Sequence, residues 1–171
     1  MVRQAQSKDI DAIFQLVYLY ASTGQMLHRS REEITLNVTD FIVYDFRGRV
    51  AGVCSLKYGW DQLVEIRSLA VHPDFCRRGF ASSIVNNCVE SLLNQDSNVQ
   101  GIFALTYAIP LFEKIGFQRI HKSSLPLKVW EDCMDCSKKI SCDEIAMFMT
   151  VQPKLEEFQR SPKVDSVTAF V

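Results

Sequence analysis

Residues 67–93 read RSLAVHPDFCRRGFASSIVNNCVESLL, and the junction in their middle governs how the rest of the chain is read. An apolar strand closes at His72-Pro73, passes through Cys76-Arg77-Arg78-Gly79, and opens a helix with Ile84, Val85, Cys88, Val89 and Leu92 along one stripe. The first turn of a helix presents unpaired N–H groups and about half a positive charge, so it attracts anions. Gly79 lets the backbone approach a bulky phosphate, and small Ala81 keeps the next turn open. Arg77 and Arg78 offer charge-assisted hydrogen bonds. Stripped of its flanks, the same stretch reads equally well as a tight turn with two solvated arginines.

The flanking sequence supplies the remaining elements. Ser7 is expected to cap a first helix carrying Ile10, Ile13, Phe14 and Val17 at helical spacing. Ser30 and Glu33 in SREE match a capping box for a second. FIVYDFRGRVAGVCSL (41–56) predicts two strands joined at Arg47-Gly48, and QLVEIRSLAV (62–71) a third. VQGIFALTY (99–107) is a short apolar strand, Pro110 and Gly116 bound a helix, and FQRI and EIAMFMTV are two more strands. The expected order is two helices, three strands, helix, strand, helix and two strands, a mixed α/β sheet rather than a βαβ repeat.

The 171 residues fit one domain, taken as 1–152, followed by a polar tail over 153–171 that is expected to be mobile or docked on a neighbour. A formal charge of −1 gives no general pull toward nucleic acid or an anionic membrane, so any basic site is local. No stretch approaches the roughly 20 apolar residues of a membrane span. Asp9 and Asp11 interrupt any signal-peptide pattern, and six cysteines without such a signal point to free thiols or a metal site in a reducing cytoplasm.

LAVHPDFCRRGFA (69–81) resembles the acetyl-CoA signature of the GNAT acetyltransferase superfamily: an apolar triplet, an hP pair, then a Q/R-x-x-G-x-G/A loop opening a helix. The loop departs at its first position, where Cys76 replaces Gln or Arg. YAIPLFEKIGF (107–117) resembles the family's next helix and strand. The resemblance implies a GNAT fold, with a mostly antiparallel central sheet, a splayed pair of strands and helices on both faces. It also implies acetyl-CoA as co-substrate, held by Leu69, Ala70 and Val71 on the strand, by Cys76, Arg77, Arg78, Gly79, Phe80, Ala81 and Ser82 at the loop, and by Phe112.

Acetyl transfer to an amine needs a base, and often an acid for the leaving thiolate. Period 2 in LVEIRSLAV places Glu65, Arg67, Leu69 and Val71 on one face, and Val64, Ile66, Ser68 and Ala70 on the other. Two charges inside a strand demand water, a partner or a substrate. Glu65 is therefore the candidate base, directly or through a water, against the alternative that both charges face solvent. Thr106 and Tyr107, at the end of IFALTY, are the candidate acids, and either equally reads as a packed strand end.

GQMLHRSREEI, VEIRSLAVHP and LPLKVWEDCMDCSKKISCDEIAM together resemble the short single-domain amino-acid N-acetyltransferases of N-acetylglutamate synthase type, over about residues 1–150. That resemblance implies L-glutamate as acceptor, acetylated on its α-amino group at the opening of arginine biosynthesis, and allows for a homodimer. A dicarboxylate needs at least two cationic anchors, and Arg29, Arg31, Arg67 and Lys128 are available, with Leu105 beside them. Arg29 and Arg31 also read as a solvated surface pair, and Lys128 as a snorkelling side chain. The alternatives are a different amine acceptor (a protein N-terminus, a polyamine or an aminoglycoside) and a non-catalytic module sensing acyl-CoA or metal.

Cys133, Cys136 and Cys142 begin with zinc-knuckle spacing but lack a clear fourth ligand, which His121 or Asp143 would have to supply. The same thiols fit a reduced loop, and no metal is expected. Cys54 and Cys88 fall on core positions, and neither His28 nor His72 is assigned a chemical role.

Overall fold

Apolar alternation, a left-handed turn and a bulge in its fourth strand build the part of the sheet that positions the site. In this computed structural model, residues 1–60, 62–94, 98–126, 130, 134, 136, 138 and 141–151 are described. The polar tail beyond Val151, Lys128 and Cys133 lie outside the described residues.

Strands β2 (Phe41–Phe46) and β3 (Arg49–Trp60) meet through Arg47 and Gly48, with φ of 54° and 79°. Two successive positive φ values give the turn whose twist matches a hairpin. Strand β4 (Leu63–Val71) follows, then β5 (Gly101–Thr106), β6 (Gln118–Ile120) and β7 (Ile145–Thr150). A seventh strand, β1 (Val2–Gln4), lies antiparallel on the edge beside β2 and was not anticipated. Three residues, two of them polar, carry no legible period. The strand order is β1-β2-β3-β4-β5-β7-β6, antiparallel except for β4 beside β5.

Helices α1 (Ile10–Ala21) and α2 (Arg31–Leu36) cover one face of the sheet. Helices α3 (Phe80–Asn94) and α4 (Ile109–Ile115) cover the other, with Ile84, Val85, Cys88, Val89 and Leu92 buried as the stripe predicts. Ser7 does not cap α1. It opens a single 3-10 turn, Ser7–Asp9, and the Asp9 carboxylate accepts the Gln6 N–H at 2.8 Å. At α2 only half of the capping box forms. The Ser30 hydroxyl accepts the Glu33 N–H at 3.0 Å, while the Glu33 carboxylate turns to Arg29 at 2.7 Å.

Across β3 and β4, Val53 faces Ala70 and Ser55 faces Arg67, so Cys54 opposes two residues, Ser68 and Leu69. Ser68 takes φ 53° at this bulge. An extra residue inverts the alternation beyond it. The expected single face of Glu65, Arg67, Leu69 and Val71 is therefore corrected: Leu69 packs with Val64 and Ile66, and Ala70 joins the α1 side that carries Glu65 and Arg67. The bulge also steers β4 away from β5. Among the described residues their ladder runs through Leu63–Gly101, Val64–Ile102 and Glu65–Phe103, and then the two part.

Candidate active site

The parting of β4 from β5 opens a cavity of about 540 Å³. Ser68, Leu69, Ala70 and Val71 line one wall and Ala104, Leu105, Thr106 and Tyr107 the other. The α1–α2 connection closes it with Gln25, Met26, Leu27 and Arg29, and Lys122, Trp130, Cys136, Cys142 and Glu144 complete the far end.

At the α3 end, Arg77 and Gly79 take φ of 60° and 81°. A Cβ on Gly79 would meet nothing within 4 Å, so its backbone angle and not crowding calls for glycine. The Ser83 N–H bonds the Gly79 carbonyl at 2.9 Å and starts the helical ladder, leaving the N–H groups of Phe80, Ala81 and Ser82 ahead of it. The Phe80 ring is buried and stacks on Tyr44 with centroids 3.9 Å apart, so this residue anchors the helix by its side chain. Arg78 lies over the Phe75 ring at 5.5 Å, and Arg77 is exposed. The Cys76 thiol turns back toward the carbonyls of Val71 and His72, at 3.8 and 3.7 Å. Phe112 is buried edge-on against Phe117 and reaches the cavity at its floor.

Glu65 is only 9% exposed, and with half-buried Arg67 it forms part of the cavity wall rather than an outer surface. Thr106 accepts the Ala108 N–H at 2.9 Å, which sets the turn into α4 and leaves its own O–H available. Tyr107, at the mouth, donates to Asp143 at 2.5 Å and receives the Lys138 ammonium at 3.0 Å. The Asp143 carboxylate raises the Tyr107 hydroxyl above its ordinary range, and the same hydrogen bond lowers Asp143.

Arg29 and Leu105 line the cavity as well. Arg31 does not: it is exposed and bonds Asp11 at 2.7 Å on the outer surface. Cys136 and Cys142 line the far wall, but among the described residues no group of three side chains is arranged to hold a metal ion. His121 is bonded to Ser123 at 2.6 Å and Asp143 to Tyr107. Cys54 and Cys88 are fully buried between β3 and α3 with their sulfurs 3.3 Å apart, and the Cys88 thiol together with burial pushes Cys54 up.

The sequence did not point to Tyr20, Lys122, Trp130 or Glu144. Tyr20 comes from α1, where helical spacing reads as packing, yet its hydroxyl donates to the Val71 carbonyl at 2.6 Å and occupies it. Burial raises the Tyr20 hydroxyl. Glu144 had one available signal. Period 2 through EIAMFMT puts it on the face of Ala146 and Phe148, which pack with Leu63 and Leu105.

Residues 9–117 match the Acetyltransferase (GNAT) family. The chain is 39% identical over 150 residues to an uncharacterized N-acetyltransferase of Chlorobaculum tepidum, covering 88% of this chain and 96% of that protein. It is 30% identical over 158 residues to the amino-acid acetyltransferase of Mycobacterium tuberculosis, covering 91% and 88%. The crystal structure of Rv2747 from Mycobacterium tuberculosis, in complex with CoA and NLQ, superposes with a TM-score of 0.76 at 28% identity, covering 89% of this chain and 99% of that one. The chain belongs to the GNAT acetyltransferase family and has its fold. Within that family it is an N-acetyltransferase related to the amino-acid acetyltransferases.

Proposed function

We propose that the chain transfers acetyl from acetyl-CoA to the α-amino group of an amino acid, with L-glutamate the first-choice acceptor, and so serves the opening of arginine biosynthesis. The observation that carries this reading is the buried Glu65 facing the gap where β4 leaves β5. A carboxylate on that wall is suited to take a proton from an arriving amine. The kinship with amino-acid acetyltransferases and the cations Arg29 and Arg67 in the cavity wall support an acceptor that bears carboxylates.

In this reading the N–H groups ahead of the α3 ladder and Arg77 hold the pyrophosphate. Glu65 removes a proton from the acceptor ammonium and frees its lone pair. The bulged segment at Ser68 and Leu69 keeps a backbone N–H out of the β3 ladder, and this N–H receives the thioester oxygen as it becomes an oxyanion. Thr106 or Tyr107 returns a proton to the departing thiolate. Thr106 has an uncommitted O–H, whereas Tyr107 must first release Asp143.

The test is thiol release from acetyl-CoA with a panel of amino acids and amines. Turnover with glutamate sustains the reading. Turnover confined to cationic amines removes glutamate and keeps the chemistry. Tight CoA binding with no turnover at all replaces catalysis by sensing.

A further inference from the structure

The far end of the cavity holds a second carboxylate that the acetyl transfer above leaves without a role. Phe103 pairs with Phe148 and Leu105 with Ala146, and all four pack on the face of the sheet that carries Leu63 and Glu65. Glu144 continues that face two residues before Ala146 and lines the cavity, half-buried. Glu65 is level with Phe103 and Phe148, so Glu144 lies four residue steps further along, roughly 13 Å at about 3.3 Å per residue, and two strands across, a further roughly 10 Å. The two carboxylates are too far apart to share a proton. They bracket a space that an amino acid fills if its amine points at Glu65 and its side chain points at Glu144.

Among the described residues no lysine or arginine forms an ion pair with Glu144. The charges that face it are Lys122 and Lys138, which draw its proton affinity down, and Asp143, which raises it, while burial dominates and raises it overall. Lys122 is committed to the Cys142 carbonyl at 2.7 Å and Lys138 to Tyr107. The Cys142 thiol, 4.0 Å from Oε2, is a weak neighbour. An incoming side-chain carboxylate would add a like charge beside this half-buried acid and push its proton affinity up further.

We propose that Glu144 selects the acceptor's side chain: as the neutral acid it donates a hydrogen bond to a side-chain carboxylate, and as the anion it turns one away. This inference rests on the amino-acid reading of the same cavity. Binding of a dicarboxylic amino acid then takes up a proton, and its affinity falls as pH rises through the ionisation of Glu144. An acceptor with an uncharged side chain takes up none.

The test is calorimetric titration of the CoA-bound protein with glutamate and with an uncharged-side-chain analogue, in buffers of different ionisation enthalpy from pH 6 to 9. It is paired with KM measurements for both compounds. The wild-type protein is expected to take up close to one proton per glutamate at the upper end of the range. Its affinity for glutamate should weaken toward about tenfold per pH unit, and that for the neutral analogue should stay flat. Glu144→Gln, which keeps a hydrogen-bond donor and loses the charge, should bind glutamate without proton uptake and without that slope. Acetylation of glutamate with no proton uptake, or with the same slope in Glu144→Gln, overturns the role of Glu144 and leaves the proposed reaction standing. Proton-linked binding of glutamate without acetylation does the reverse. Failure of glutamate to bind at all overturns both.

Discussion

Glu65 lines the cavity and Gly79 stands at the turn into α3, and each supports a prediction at the scale of one residue. Glu65→Gln keeps the size and burial of the side chain but cannot take a proton. Its kcat should drop about 100-fold or more while CoA affinity, measured by calorimetry, stays within twofold, as general-base contributions of this kind require. An unchanged kcat would remove Glu65 from the reaction. Gly79→Ala meets no neighbour within 4 Å, so its cost is purely conformational at φ 81°, about 1 kcal/mol. Part of that strain falls on the turn into α3 that is proposed to hold the pyrophosphate, and KM for acetyl-CoA should rise several-fold with little change in kcat. Both residues were legible in the sequence, Glu65 as a charge inside an apolar strand and Gly79 as a glycine between arginines and a helix. Tyr20, Lys122 and Glu144 were not, because nothing local marks a helix tyrosine or a loop lysine as cavity-lining. Only the closure of residues 20, 65, 122 and 144 around one space gives them meaning.

At the scale of elements, the fork between β4 and β5 creates the cavity, and it depends on two devices of opposite legibility. Strand propensity and turn signals foretold β2 to β7, and the α3 stripe was read residue for residue, since each is a local property of the chain. The bulge at Ser68 was not, because a single extra residue leaves the sequence period looking intact while reversing every side chain after it. The root of the fork is Gly101, paired with Leu63. A Cβ there would fall 2.4 Å from the Phe148 ring and 2.9 Å from Leu63 Cδ2. Gly101→Ala therefore overpacks the paired root of the fork and should destabilise the fold by about 1–3 kcal/mol. Denaturant unfolding gives that number directly. A variant of unchanged stability would mean that Phe148 yields freely and that the fork does not depend on this contact.

At the scale of the molecule, the two largest buried clusters of the described residues lie on either side of one sheet, and a charge cluster on its β1 edge ties the first strand to both the entry of α1 and the β2–β3 hairpin. Arg3 donates to Asp9 at 2.7 Å and to Asp45 at 3.0 Å, while the N-terminal amine reaches the Asp45 carbonyl at 2.7 Å. Hydrogen bonds from Arg3 hold both carboxyls below the usual aspartate range. Of the two, Asp9 is the buried one, at 5% exposure. Arg3→Met leaves that carboxylate without its cation and should cost about 2–4 kcal/mol at pH 7. A carboxyl whose folded pKa is depressed contributes stability that is complete above its unfolded value, near 4, and is lost as pH falls through the folded value. Wild-type stability should therefore decline steeply below pH 4, whereas Arg3→Met, whose Asp9 keeps only the weaker hold of the Gln6 N–H, has less left to lose there. The gap between the two proteins in urea unfolding should narrow from pH 7 to pH 3. A gap of constant width would show that Arg3 acts through packing of its aliphatic stem rather than through the charge of Asp9.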